Sequence, residues 1–237
     1  MQVTLARADV SYQSFFKKPL LDRPAGTPAL IQIVYDALSE NFKISVADIV
    51  VNQSGGPADS SVMFRLFGAA ASIELRSEFW KGIFPRVITA DDVKLVTRCL
   101  GVVSEAVAKA SDRLLPARAT VVVAGWYQVP DGFDPATFFK GFWSNANELE
   151  PNFLGSKAIE YALNPTLRNA DEGWDATFFV QASMIEGTQI FLNCISNYVS
   201  GGRYSSLELQ ADHAQTLAIA MLGKLGFEAS PIEVSNG

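Results

Sequence analysis

Histidine is almost absent from this chain. His213 is the only one in 237 residues, and the cysteines number two, Cys99 and Cys194. A zinc site built from nitrogen and sulfur ligands therefore lacks its raw material, and no metal or cofactor is expected. The cysteines lie in apolar surroundings at no metal spacing, so the sequence predicts two reduced, buried thiols. Any Ser-His-Asp or Cys-His mechanism would have to run through His213. That residue is predicted in the first turns of the last helix beside Asp212, and no Gly-x-Ser-x-Gly turn occurs anywhere. A helix-surface histidine is the expectation. Charge is also scarce, 19% of residues against 49% hydrophobic, a balance typical of a folded globular chain. No apolar run reaches membrane-spanning length; 119–130 is uncharged but short and reads as a strand. The N-terminus lacks a basic stretch followed by an apolar run, so no signal peptide is expected and a cytoplasmic location is.

The net charge of −6 is unevenly placed. Residues 1–117 hold 13 of the 19 basic and 12 of the 25 acidic residues, leaving 6 and 13 for the remainder. An acidic second half repels a phosphate backbone, so nucleic acid is not an expected partner. Lys17, Lys18 and Arg23 read as a solvated loop.

What is present is regular patterning. Val3–Gln13 alternates as a strand, and 14–27 reads as a loop. Thr27 followed by Pro28 opens a helix carrying Ile31, Val34, Tyr35, Leu38 and Phe42 on one face. Strands are predicted at 48–52, 62–67, 70–76 and 79–88, the second and third pairing across Gly68, with Pro85 keeping the last near an edge. Thr89, Asp91 and Asp92 begin a long helix over 90–114. Its stripe runs through Val93, Val96, Leu100, Val103, Val107, Ala110 and Leu114. A second series follows. It has a strand at 119–129 and a short helix capped by Asp134 with Pro135 behind it. Strands at 156–163 and 174–184 surround the turn 169–173, a third strand spans 188–199, and a helix includes 211–225. The tail from Ala229 reads as frayed.

Both series share one order, and both opening strands reach Tyr-Gln, at Tyr12-Gln13 and Tyr127-Gln128. The sequence thus predicts an α+β protein of two tandem β-α-β(3-4)-α units, 1–117 and 118–237. Their mostly antiparallel strands would form a curved sheet covered on one face by two long helices. Such a duplication creates a groove between the copies.

The remaining motifs read as structure. Asn169, Asp171, Glu172 and Asp175 do not match the spacing of a helix-loop-helix calcium site. Gly55-Gly56, Gly201-Gly202 and Gly223-Lys224 lack the context of a phosphate loop. The short aromatic helix stands apart. Phe138, Phe139, Phe142 and Trp143 span a wider arc than one buried face, which predicts that part of this surface meets a protein partner or a second copy.

The stretch Ala124-Gly125-Trp126-Tyr127-Gln128 resembles a mid-chain strand in a sporadically distributed family of uncharacterised bacterial proteins of similar length. That family carries Gly-x-Arg-Tyr-x-Asn there; this chain keeps the Gly and Tyr and lacks the Arg and Asn. The resemblance implies no activity. In element order alone the chain is similar to the tandem repeat of TATA-box-binding proteins, though its acidic balance opposes their function. The functional expectation is a non-catalytic binding or assembly protein acting through protein contacts. The alternative is a small-molecule binder or carboxylate-dependent hydrolase with a pocket between sheet and helix.

Overall fold

Loose two-residue alternation, shifted by an irregularity between Leu5 and Arg7, produces a long opening strand. In this computed structural model, which describes residues 1–18, 28–52, 60–110, 114–142 and 161–229, β1 runs over Gln2–Phe16. It is followed by α1 (Pro28–Phe42), β2 (Ile49–Asn52), β3 (Ser61–Leu66), β4 (Ala71–Leu75), β5 (Phe79–Phe84) and α2 (Ala90–Ala110). Then come β6 (Pro116–Gln128), α3 (Pro135–Lys140), β7 (Ala162–Leu163), β8 (Thr166–Asn169), β9 (Trp174–Ala182) and β10 (Gln189–Val199). Helix α4 (Leu207–Lys224) and β11 (Glu228–Ala229) complete the order. The protein is mixed α+β, with one large sheet ordered β2-β3-β4-β5-β1-β6-β10-β9-β7; β8 also pairs with β9. These pairings are antiparallel, while β11 joins the start of β1 in parallel. No helix among the described residues is long and apolar enough to cross a membrane.

Capping chemistry fixes the helix starts. Thr89 Oγ1 accepts from the Asp92 amide at 3.1 Å while Asp92 Oδ2 accepts from the Thr89 amide at 2.8 Å, a reciprocal box that opens α2. Asp134 caps α3 through the Ala136 amide, and Ser206 caps α4 through the Leu209 amide. Gly226, at φ 86°, turns the chain out of α4, and the Phe227 amide reaches back to the Leu222 carbonyl at 3.0 Å.

Several expectations need correction. Strand β5 is not near an edge: it lies between β4 and β1, and Pro85 follows its last residue, where the missing N–H interrupts no ladder. Helix α2 is described over Ala90–Ala110, residues 111–113 of the expected helix lie outside the described residues, and Pro116 opens β6 rather than merely closing the helix. The last helix begins four residues earlier than 211, at the Ser206 cap. The start of the tail is not frayed, because Glu228 and Ala229 pair with Gln2 and Val3. The turn before β9 is shorter than 169–173 suggests, since Thr166–Asn169 form β8. Thr27, the pair Gly55-Gly56 and residues 156–160 of the expected strand lie outside the described residues.

Burial gathers into two apolar clusters. The first joins Tyr12, Phe64, Ile73, Leu75 and Trp80 of the strands to Leu30, Val34 and Leu38 of α1 and to Cys99, Leu100 and Val103 of α2. The second joins Tyr127, Phe178, Val180, Ile190 and Leu192 to Phe139 of α3, Leu217 and Leu222 of α4, and Phe227. Each fully buried large side chain contributes about 1.5–3 kcal/mol.

Central strand β6 contains a glycine with a packing role. A side chain at Gly125 would place its Cβ 2.6 Å from the Tyr127 ring, which lies across that position. Gly125→Val is therefore expected to destabilise the fold by about 1–3 kcal/mol through overpacking, read as a lower urea midpoint.

Candidate functional site

The two clusters leave a gap where they meet. Over the central strands lies a half-open cleft of about 590 Å³. Its floor is Leu5, Ala8 and Val10 of β1 with Val121, Val123 and Tyr127 of β6. Val93 and Val96 of α2 form one wall, and Ala211, Ala218 and Ile219 of α4 the other. The mouth is polar and divided by sign. Helix α2 contributes Lys94, Thr97 and Arg98, whereas α4 contributes Glu208, Asp212 and Gln215. Within each helix these positions fall three or four apart, so each set shares one face. The size and the apolar lining with a few polar groups match a small-molecule site.

The charges at the mouth are not equally engaged. Arg98 reaches toward α1, 3.4 Å from Asn41 Oδ1 and over the Phe42 ring, and Lys94 lies 3.9 Å from Asp91. Glu208 and Asp212 form no ion pair among the described residues. Both carboxylates belong to α4, opposite two cations, so the cleft does not set one carboxylate against another across a bound bond, the arrangement of glycoside cleavage.

Tyr127 is the polar group at the bottom. It is 5% exposed, and burial pushes its hydroxyl up to about 12. Among the described residues that hydroxyl has no hydrogen-bond partner. Tyr12 differs, since its hydroxyl donates to Gln210 Oε1 at 3.2 Å.

His213 is not a plain surface residue. Its ring stacks on Tyr204 at 3.8 Å and meets Trp174 edge-on at 4.8 Å. The Tyr198 hydroxyl donates to the Gln210 carbonyl at 3.1 Å and lies 3.2 Å from His213 Nδ1. A phenol has one proton, so at His213 its oxygen accepts, which places the imidazole proton on Nδ1. No serine or cysteine hydrogen-bonds His213 among the described residues, and the cluster ties α4 to β10 and β9. The thiols of Cys99 and Cys194 are free, buried, and raised by burial to about 12 and about 11.

Helix α3 ends at Lys140, so Phe142 lies past it in a turn and not on the helix as expected, and the aromatic segment is largely turned inward. Phe139 is 1% exposed, and Phe138 packs its ring against Phe133, Phe139, Phe142 and Phe227. Phe142 is 52% exposed; Trp143 lies outside the described residues. The acidic turn is spent locally: Glu172 accepts from Trp174 Nε1 at 3.0 Å and pairs with Arg203, and Asp175 accepts from Asn197. On the sheet side away from the two clusters, Arg7 pairs with Asp9 at 2.8 Å and lies over Trp126. Arg76 pairs there with Glu74, and Arg118 stacks on Phe15. That side is mixed in charge rather than uniformly basic.

No protein-family model matches the chain, and no curated protein sequence matches it. The cleft residues are the ones that reading the sequence overlooked. The available signal was the pair of polar faces at helical spacing, 94/97/98 and 208/212/215, on two otherwise apolar helices.

Burial holds His213 below its ordinary value of 6.5, with the Glu172 charge opposing that shift and the Arg203 charge adding to it. The unfolded chain then takes up a proton at higher pH than the folded one, so stability is full above 6.5 and falls on acidification. The urea midpoint of the wild type is expected to drop between pH 7.5 and 5.5, and His213→Phe to flatten that slope. Asp48, Asp92, Asp134 and Glu172 are all lowered and act below this window.

Proposed function

We propose that this is a non-catalytic binding protein whose ligand seat is the groove between two related units, and that the occupant is a small, largely apolar molecule. The observation that carries the reading is the cleft itself, about 590 Å³ of apolar-floored space over the central strands with a polar mouth. On this reading β1-α1-β2-β3-β4-β5-α2 and β6-α3-β7-β8-β9-β10-α4 are copies, and α2 and α4 cover the same face of the sheet. Three features support the duplication. The strand order runs outward as β1-β5-β4-β3-β2 on one side and β6-β10-β9-β7 on the other. Asp9 pairs with Ala124 near the middle of the β1–β6 ladder, and Tyr12 and Tyr127 each lie three residues further along their own strands. Both closing helices follow directly on a side-chain cap, at Thr89 and Ser206.

The chemistry favours retention over turnover. A floor of aliphatic side chains offers an apolar ligand a dry surface, and the opposed charges at the mouth can orient a polar end. An uncharged fluorescent probe, N-phenyl-1-naphthylamine, is expected to bind one site saturably. Ala211→Trp, which fills the wall, should weaken it more than about tenfold with the urea midpoint little changed. Saturable binding that is indifferent to this substitution would remove the reading.

A second reading, association with a protein through the aromatic helix, rests on the exposed Phe142 beside Phe138. Light scattering after size exclusion checks its self-association form: an oligomer that Phe142→Ser converts to a monomer supports it, and a strict monomer counts against it.

A further inference from the structure

The floor of the cleft is not uniformly apolar, and the exception points to a ligand. Tyr127 is buried and lines the cavity, yet its hydroxyl has no hydrogen-bond partner among the described residues. With no protein partner, a hydroxyl on the cleft floor is left to water or to a ligand. Its ring is held in place. Gly125, two residues earlier on the same side of β6, has no Cβ, and the phenol lies over that space with the hydroxyl 3.0 Å from where a Cβ would stand. The two residues that carry the resemblance noted above therefore form one device, a phenol laid flat along the strand by the glycine beneath it.

The other half of the chain handles the same residue type differently. The Tyr12 hydroxyl is taken up by Gln210, the fourth residue of α4. The fourth residue of α2 is Val93, an aliphatic side chain that also lines the cleft and offers no acceptor. One tyrosine is thus satisfied by its overlying helix, and the other faces open volume. Desolvation keeps the Tyr127 phenol protonated at neutral pH, with its hydroxyl raised to about 12, so its unmet capacity includes a donor.

We propose that Tyr127 determines the ligand class of the cleft by donating a hydrogen bond to an uncharged acceptor oxygen, such as that of a ketone, ester or amide, on an otherwise apolar molecule. The proposal rests on the cleft being a binding site. An acceptor of this kind satisfies the phenol without bringing an ionised group onto a floor of Leu5, Val10, Val121 and Val123, where charge is expensive.

The test is a matched pair of probes, benzophenone and diphenylmethane, which differ by a carbonyl in place of a methylene. Each competes with N-phenyl-1-naphthylamine on wild type, Tyr127→Phe and Ala211→Trp. Tyr127→Phe keeps the ring over Gly125 and removes only the oxygen; its urea midpoint, expected at or above that of the wild type, confirms the fold. Wild type should prefer benzophenone by roughly fivefold, the size of one net hydrogen bond. Tyr127→Phe should abolish that preference and leave diphenylmethane within about twofold. If both probes bind in a manner lost in Ala211→Trp but the ketone has no Tyr127-dependent advantage, this proposal fails while the cleft reading stands. If neither probe competes, or binding ignores Ala211→Trp, both fall together.

Discussion

The antiparallel ladder between β1 and β6 is the constraint from which the other features follow. Twelve residue pairs join the two strands, from Thr4 with Gln128 to Phe16 with Pro116. Each strand then has one free edge, and each edge is taken by the last strand of its own series, β5 on one side and β10 on the other. The sheet is therefore wide, and its middle is far from either outer strand. A single helix covers a strip about 10 Å across. The first cluster reaches across the ladder, taking in Tyr12 and Phe16 of β1, Ala119 and Val121 of β6, and Leu207 and Ala214 of α4, and the second takes in Val3 of β1 with Tyr127 of β6. The cleft lies over the stretch of ladder that includes Leu5, Ala8 and Val10. Most residues there are small or β-branched: Ala8, Val10, Val121 and Val123. They can close-pack within the sheet but do not reach up to fill space above it. A gap over this stretch of the ladder is the geometric consequence, and polar side chains of α2 and α4 line its mouth.

Much of the secondary structure was legible because local signals and burial agree. The Thr89, Asp134 and Gly226 boundaries are written in backbone hydrogen bonding, which needs only neighbours in sequence. The strands at 62–67 and 70–76 alternate cleanly because one face of each packs into the first cluster. The misread positions are those where tertiary context overrides the local signal. Pro85 suggests an edge only if it falls inside the ladder, and nothing in the sequence says that β5 stops one residue earlier. Glu228 and Ala229 look like a tail because their partner, the first turn-free segment of β1, is more than two hundred residues away.

The site was less legible than the fold. A cleft is defined by what fails to meet, and periodicity reports only what is apolar. Val96 and Val103 occupy one stripe of α2, yet Val96 lines the cavity and Val103 is sealed in the core. Conversely, the feature that drew attention in the sequence, the four aromatic residues from Phe138 to Trp143, is mostly explained by rings packing on one another. Phe138 alone touches four others, and Phe227, from beyond the end of α4, closes the group. Wide arcs of aromatic residues on short helices can be consumed by a cluster that comes from distant sequence. The arc alone does not distinguish such a cluster from an exposed patch.

On the reading of two related units, the contrast between Tyr12 and Tyr127 is a place where one copy departs from the other. Two perfect copies would place the same side chain over both tyrosines, giving either two satisfied phenols or two unsatisfied ones. In this chain the Tyr12 phenol meets Gln210 and is built into a hydrogen-bonded cluster that runs on through Tyr204, His213 and Tyr198, whereas no side chain among the described residues hydrogen-bonds the Tyr127 hydroxyl. That cluster fixes the start of α4 against the sheet. Near the start of α2, polar contacts run to the preceding turn and toward α1, through Asp92 and Arg98. One end of the groove is locked by polar contacts and the other is left lined by aliphatic side chains around a lone hydroxyl. On the reading of two related units, asymmetry between the copies, rather than either copy alone, is what turns a structural seam into a place where a ligand can be told from its apolar analogue.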